Sequence, residues 1–328
     1  MKKNYILKKI RSGLFLLPLL SFSLANGAPL VYEGFNYGGS SGAIGGTTSN
    51  ALGLTGSYTT LTGTAGSGNL QTATYNSTGL TFAGYQSTGG SLTMSLAPKL
   101  DSTKEYVMSH VSFDTTATGD IYHSFLANVG VNTMSSGFAG TEIRSQTTSS
   151  VHQTSTKDFA SMTVAPNRSG SSGTIPSIGY KADATTSGGS VDLGSTYLYI
   201  SKYTNVGGAG GGTASLWVLN NAGYVDWQAN GGNEGDLGTY ASFTATDTQT
   251  DTILFGTDRS MRLSAQEFSL NFNSSPSNYS LSGDLTTTYD EIRYGTSLGD
   301  VVVIPEPGTG LLLLVGLISS LIIHRKKS

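Results

Sequence analysis

The chain has 328 residues, of which only 12% are charged, 44 are glycine and none is cysteine. This composition argues against a helix bundle, which needs Glu, Lys, Ala and Leu at helical spacing, and it excludes disulfides and thiolate metal sites. Ten basic residues face all 21 acidic residues between Asn26 and Pro307, a formal charge of −11. Binding to the phosphates of nucleic acid is therefore disfavoured.

The N-terminal segment, residues 1–25, has the features of a secretory signal peptide. A basic stretch precedes the apolar run from Leu14 to Leu20, and small residues follow at Ser23 and Ala25. We place the cleavage after Ala25, with Ala28 as the second choice; an uncleaved anchor is the alternative. The segment predicts export through the Sec translocon and processing by signal peptidase.

Apolar and polar side chains alternate with the period of β-strands through most of the chain from Leu30 to Val303. The clearest segments are Leu80–Tyr85, Leu92–Leu96, Val107–Phe113, Tyr197–Tyr203, Leu216–Leu219, Ile253–Phe255, Phe268–Phe272 and Ile292–Tyr294. Segments rich in Gly, Ser and Thr, such as Thr185–Ser190 and Gly207–Gly212, predict loops between them. The pattern predicts an all-β fold over residues 29–302, a single antiparallel β-sandwich or jelly roll.

Several of these strands resemble the concanavalin A-like, or laminin G-like, jelly-roll domains of verrucomicrobial surface proteins. The similar segments are the opening Val31–Tyr37, the interior strands Tyr197–Tyr203 and Ser215–Val218, and the closing Tyr289–Ser297. The resemblance implies that the first and last strands pair. It also implies a domain whose known members largely lack an assigned activity.

The C-terminal segment, residues 305–328, combines three features in order. Pro305, Glu306 and Pro307 precede the apolar stretch 308–323, and a basic end that includes Arg325 follows at 324–328. Sixteen residues make about 24 Å of helix, a little less than the ~30 Å hydrocarbon core of a bilayer. The basic flank predicts a transmembrane helix with a cytoplasmic C-terminus and the rest of the chain outside.

This tail resembles the PEP-CTERM sorting signal of Gram-negative bacteria, matched at Pro305, Glu306, Pro307 and Arg325. The resemblance implies that an exosortase, a membrane-embedded peptidase, is a partner and processes the chain near the tripeptide. The expected location is the inner membrane before processing and the cell surface, or an extracellular matrix often rich in exopolysaccharide, after it.

Paired carboxylates that would support glycoside hydrolysis are incomplete. Glu234 and Asp236 lack the third acid of the Glu-x-Asp-x-x-Glu strand motif, so a solvated acidic loop is favoured. Asp290 and Glu291 are adjacent, and neighbouring strand residues point to opposite faces, which favours an edge contact or an ion pair of either acid with Arg293 instead. The histidines His110, His123 and His152 lack metal-site spacing. We therefore predict no catalytic residues and a non-enzymatic protein.

Two weaker binding sites remain as hypotheses. Asp247 and Asp251 offer carboxylate oxygens to calcium, the one cofactor candidate, because laminin G-like domains often hold it in loops. Exposed aromatic rings can stack on sugars. Trp227, with Tyr224 before it, is predicted to lie at a strand end, whereas Trp217 is predicted to be part of the core.

Three functions follow from these features. The first is an exported surface or matrix protein with a structural or adhesive role. The second is a carbohydrate-binding, lectin-like module with polysaccharide as the partner. The third is a divergent glycan hydrolase or lyase that uses Glu234 and Asp236.

Overall fold

The computed structural model describes residues 27–62, 71–82, 85, 87, 89–96, 105–130, 138–147, 159–166, 173–178, 185–188, 191–248, 250–268 and 285–302. The strands in this part of the chain are β1 (Val31–Glu33), β2 (Gly42–Ala43), β3 (Leu54–Thr62), β4 (Gln71–Asn76), β5 (Ser91–Leu96), β6 (Glu105–Phe113), β7 (Gly119–Val129), β8 (Phe138–Thr147), β9 (Phe159–Pro166), β10 (Gly173–Ser177), β11 (Thr185–Gly188), β12 (Val191–Asp192), β13 (Thr196–Val206), β14 (Thr213–Leu219), β15 (Phe243–Thr248), β16 (Arg259–Phe268) and β17 (Leu285–Gly295). The helices are α1 (Asn221–Ala229), α2 (Leu237–Tyr240) and α3 (Leu298–Val301), and a 3₁₀ turn at Glu234–Asp236 precedes α2.

The strands form two antiparallel sheets. The larger sheet has the order β11-β15-β14-β13-β7-β17-β5-β4-β2, and β1 pairs with β17. The smaller sheet has the order β12-β10-β9-β8-β16-β6-β3. Val31 of β1 lies opposite Tyr294 of β17, so the first and last described strands pair. The all-β class with antiparallel sheets is confirmed.

The main hydrophobic core combines buried side chains from both sheets. Alternate residues of β5, such as Leu92 and Met94, contribute from the larger sheet, and Val107 of β6 and Leu263 of β16 contribute from the smaller one. The strand period of two places these residues on one face of each sheet. Their burial gives the two sheets a shared interior.

A second core cluster lies on the opposite face of the larger sheet, beneath the helices. Leu126 of β7 and Leu198 of β13 pack there with side chains of α1, α2 and α3. Helix α1 begins after Asn220, whose side-chain oxygen accepts a hydrogen bond from the Gly223 N–H at 2.8 Å. This N-cap satisfies one of the backbone donors that a helix start leaves unpaired.

Three predicted elements differ from the structure. In the described part of Leu80–Tyr85, Phe82 and Tyr85 form an isolated bridge and belong to no strand. Ile253–Phe255 is not a strand either. Its apolar side chains fill the core between loops, where the ring of Phe255 packs against that of Phe113 at an angle of 46°, with centroids 4.7 Å apart. Conversely, part of the predicted loop Thr185–Ser190 forms β11, the edge strand beside β15.

Both predicted targeting segments, 1–25 and 305–328, lie outside the described residues, as does Phe268–Phe272 beyond its first residue. Within the described ranges, no helix has both the length and the apolar character needed to cross a membrane.

Candidate functional site

The predicted aromatic platform does not lie on the surface. Tyr224 and Trp227 belong to α1 rather than to a strand end, and both rings are fully buried in the second core cluster. The indole N–H of Trp227 donates to the carbonyl of Asn233 at 2.8 Å. The strand-end prediction is therefore wrong, and neither ring offers an open face to a sugar.

Trp217 was expected in the core, but its side chain is only partly buried. It lies on the face of β14 opposite Leu216 and Val218, which point into the main core. The alternation along β14 contains this information, since Ser215 and Trp217 share one face of the strand.

Glu234 is held against the larger sheet rather than free in a loop. The Tyr122 hydroxyl donates to its Oε2, and the Lys202 ammonium donates to its Oε1 at 2.9 Å. Lys202 also contacts Asp120 at 3.3 Å and lies 5.1 Å from the centre of the Tyr122 ring. We call Tyr122, Lys202, Glu234 and Asp120 the surface anchor, because they attach the turn before α2 to β7 and β13.

The pKa shifts of Lys202 and Tyr122 do not favour proton transfer by these two groups near neutral pH. Partial burial lowers the pKa of Lys202, but hydrogen bonds to Tyr122, Glu234 and Asp120 outweigh it and leave that pKa above its ordinary value. Burial and the bond to Glu234 raise the pKa of Tyr122. Neither group becomes a base poised near pH 7. Asp236 lies apart from this network; it is exposed and accepts from the Asn233 amide at 3.4 Å.

The other predicted acid pair lies in a buried cluster of four residues: Glu33, Asp290, Glu291 and Arg293. Glu291 accepts from Arg293 at 2.8 Å and from the Tyr32 hydroxyl at 3.0 Å, which confirms an ion pair with Arg293. The register of β17 against β7 is irregular between Asp290 and Arg293, and Glu291 has a φ of +53°. This bulge interrupts the regular alternation of faces. Asp290 and Glu291 are both fully buried.

Glu33 accepts hydrogen bonds from three groups. Its Oε2 accepts from the hydroxyls of Tyr37 and Tyr58, and its Oε1 accepts from the Phe35 N–H at 2.6 Å. Asp290 accepts from the backbone N–H groups of Leu80 and Glu291, both at 2.7 Å. Each carboxylate of the buried cluster is therefore saturated by the fold itself.

Burial changes the proton affinity of this cluster. It raises the pKa of Glu33, against the opposing effect of the hydrogen bonds from Tyr37, Tyr58 and Phe35. Burial also raises the pKa of Asp290 to about 8; the N–H of Leu80 opposes this effect and the charge of Glu291 reinforces it. Its three carboxyl groups are buried from solvent, so we assign the cluster to the stability of the fold.

The described residues form an open polar cleft near the start of β13. Its volume is about 410 Å³, and its walls are Thr81, Asp192, Ser195, Thr196, Tyr197, Asn220, Asn221 and Ala222. Hydroxyls, two amides and one carboxylate make up most of this surface. Only Tyr197 and Ala222 add an apolar side chain, and Tyr197 is largely buried.

The geometry of the cleft is set by local contacts. The Tyr197 hydroxyl accepts from the Asp192 N–H at 3.1 Å and donates to its carboxylate at 3.4 Å, which fixes one wall. Asn128 donates to the carbonyl of Gly194 at 3.0 Å and holds the turn between β12 and β13. The sequence did not predict this cleft. The adjacent amides of Asn220 and Asn221 at the start of α1 could have indicated a polar surface, but nothing in the sequence places Asp192 beside them.

The calcium hypothesis finds little support. Asp247 lies on β15 and Asp251 follows that strand, and both are partly buried. No group of three or more His, Asp or Glu side chains in the described ranges is arranged to hold a metal ion. Calcium takes six to eight oxygen ligands, more than two carboxylates supply alone. Of the histidines, His123 is buried and stacks on Tyr294 at 4.2 Å, and His152 lies outside the described residues.

No protein-family model and no curated protein matches this chain. Among solved structures, an endo-β-1,4-glucuronan lyase from the fungus Trichoderma reesei is similar with a TM-score of 0.36 at 9% identity, over 72% of this chain and 90% of that one. An alginate lyase has a TM-score of 0.33 at 11% identity, over 66% and 86%. Lectin II from Ulex europaeus has a TM-score of 0.33 at 10% identity, over 69% and 92%. We take no residue role and no activity from similarities of this size.

Proposed function

We propose that this protein is an exported surface protein whose β-sandwich binds carbohydrate in the polar cleft. The observation that carries the proposal is the composition of the cleft walls, which are hydroxyl, amide and carboxylate groups around one tyrosine. A sugar ring presents several hydroxyls that both donate and accept hydrogen bonds. The side chains of Ser, Thr, Asn and Asp offer the complementary donors and acceptors.

The size and openness of the cleft agree with this ligand class. Its volume of about 410 Å³ lies within the ~300–1,000 Å³ of small-molecule sites. Thr81, Asp192, Ser195 and Asn221 are exposed, so a chain of sugars has access to these groups from solvent. A polar wall with few apolar atoms suits a hydrated ligand better than a lipid or an apolar peptide.

We propose binding without cleavage. Glycoside hydrolysis uses two carboxyl groups on either side of the scissile bond. Among the described residues of the cleft walls, Asp192 is the single acid. The surface anchor at Glu234 engages both of its oxygens with donors from the sheet.

A blocking substitution tests the binding proposal. Ala222 is exposed in the cleft, so Ala222→Trp fills the space without removing a hydrogen bond. We expect the full chain to bind at least one polysaccharide on a glycan array, and Ala222→Trp to weaken that binding at least tenfold. Ala209→Trp, in the exposed loop after β13, is the matched control. Equal losses in both variants, or no binding by the unmodified chain, would refute the proposal.

Export and sorting are a further part of the proposal. Residues 1–25 and the tripeptide Pro305-Glu306-Pro307 with its apolar and basic continuation support it. Replacing Pro305, Glu306 and Pro307 by alanine in the native host is expected to leave the chain in the inner membrane with its C-terminus intact. Mass spectrometry of membrane and surface fractions measures this. Unchanged processing of the variant would remove the sorting signal from the proposal.

A further inference from the structure

We infer that the cleft selects uncharged saccharides and rejects uronates, and that Asp192 makes this selection. The inference rests on the proposed carbohydrate binding and names the class of saccharide that is bound. Uronates differ from neutral hexoses by a carboxylate at the sixth carbon. A cleft distinguishes the two by the charges in its walls and by the field of the surrounding protein.

The walls of the cleft contain one formal charge. Among the described residues that form them, Asp192 is the single acidic residue, and no Lys, Arg or His is present. Its side chain is exposed at the cleft surface. A uronate carboxylate in the cleft would therefore meet a like charge and no basic partner.

Tyr197 holds Asp192 in place. Its hydroxyl bonds to both the backbone N–H and the carboxylate of Asp192, so the acid is attached to the wall at two points. Thr196 and Gly194 of the same turn are tied to Asn128 of β7 at 3.3 Å and 3.0 Å. Rotating the carboxylate away from a bound anion would break its bond to the Tyr197 hydroxyl.

The partial positive charge at the start of α1 opposes the negative charge of Asp192. Asn220, Asn221 and Ala222 place the N-terminus of this nine-residue helix at the cleft, and a helix N-terminus carries about half a positive charge. The cap from Asn220 already occupies the Gly223 N–H. The full negative charge of Asp192 exceeds this partial charge, so the local balance remains negative.

The net negative charge of the surrounding protein also disfavours the binding of uronates. Residues 26–307 carry a formal charge of −11, which repels polyanionic chains before they reach the cleft. This long-range repulsion is screened over about 10 Å at 0.1 M salt, whereas a contact inside the cleft is screened less. Salt therefore separates the two contributions.

Matched oligosaccharides test the inference. The full chain is titrated with three pairs of hexamers that share a linkage and differ in the sixth carbon. The pairs are a cello-oligomer and β-1,4-glucuronan, an α-1,4-galacto-oligomer and α-1,4-galacturonan, and β-1,4-mannan and β-1,4-mannuronan. We expect a neutral member to bind at least tenfold more tightly than its uronate partner. We expect Asp192→Asn to strengthen uronate binding about three- to tenfold and so to lower the neutral-to-uronate affinity ratio.

Asp114→Asn is the matched control for net charge. Asp114 is exposed and lies in the loop before Gly119, which pairs with Val206 at the end of β13 opposite the cleft. It should leave the neutral-to-uronate ratio unchanged in 0.15 M salt. An equal effect of both variants would assign the preference to the general field and overturn the role of Asp192.

The outcomes separate the two proposals. Tighter binding of a uronate than of its neutral partner refutes the inference and leaves carbohydrate binding standing. Failure to bind any of the six oligomers, together with an empty glycan array, refutes the proposed function itself. Thermal unfolding of each variant verifies that it folds.

Discussion

The buried cluster around Glu291 and the surface anchor around Glu234 use the same chemical groups in different surroundings. Each pairs a carboxylate with a cation, adds a tyrosine hydroxyl, and places the cation over a tyrosine ring, at 4.4 Å for Arg293 and 5.1 Å for Lys202. The Glu291 side chain is 0% exposed, whereas that of Glu234 is 37% exposed. Because water screens the surface pair more than the pair around the buried Glu291, we expect the two to differ in their effect on stability.

Removing the buried cation should have the largest effect. Arg293→Met keeps most of the apolar length of the side chain but leaves the Glu291 carboxylate buried without its ionic partner. We expect the free energy of unfolding in urea to fall by about 3–5 kcal/mol. A loss below ~1 kcal/mol would show that solvent reaches the cluster.

Glu33→Gln tests the carboxylate that has no cation. The amide has one acceptor oxygen, so at least one of the donors from Phe35, Tyr37 and Tyr58 loses its partner. We expect a loss of about 1–3 kcal/mol in the same urea experiment. The exposed Asp114→Asn variant should lose less than about 0.5 kcal/mol.

The pH dependence of stability should identify Asp290. Its folded pKa of about 8 lies above the ordinary 3.8, so between these values the folded state binds the extra proton. The free energy of unfolding therefore falls as pH rises through this window, by up to about 1.4 kcal/mol per pH unit. Asp290→Asn should flatten this slope.

The interval from pH 6.5 to 8 is the cleanest for the measurement. Burial lowers the pKa of His123 to about 3 from the ordinary 6.5. The unfolded state therefore binds the extra proton between pH 3 and 6.5, and His123 makes stability rise with pH there. Above pH 6.5 this opposing contribution ends. An unchanged slope in Asp290→Asn between pH 6.5 and 8 would contradict the assignment.

Lys202→Met should have the smallest effect. It removes the contacts to Glu234 and Asp120, whose side chains are 37% and 47% exposed. We expect a loss of at most about 1 kcal/mol. A loss as large as that of Arg293→Met would remove the distinction between the two regions.

The sequence predicts the strands better than it predicts the sites. Leu92–Leu96, Val107–Phe113 and Tyr197–Tyr203 lie in regular ladders, where alternation directly reports the buried face. Ile253–Phe255 alternates too, but its side chains fill the core from a loop. Helix α1 was missed because Gly223 weakens its pattern, although Tyr224 and Trp227 have a spacing typical of one helix face.

The candidate sites depend on contacts that local patterns do not contain. Asp290 and Glu291 lie at a bulge in β17, within a sheet that is covered on both faces, and both are buried. Glu33 is bound by tyrosines 4 and 25 residues away. Asp192 meets Asn221 across the cleft only after β13 and β14 have formed. Such proximity is a property of the topology.

The pairing of β1 with β17 also constrains how the chain folds. Tyr32 and Glu291, which bond across this pair, are 259 positions apart. At ~5–20 residues per second of synthesis, β1 leaves the ribosome roughly 13–50 s before its partner exists. The buried cluster cannot assemble in a nascent chain, and contacts of such high sequence separation fold slowly. A chain truncated before Leu285 would therefore lack β17, the strand with which β1 pairs. We expect proteases to degrade such a chain.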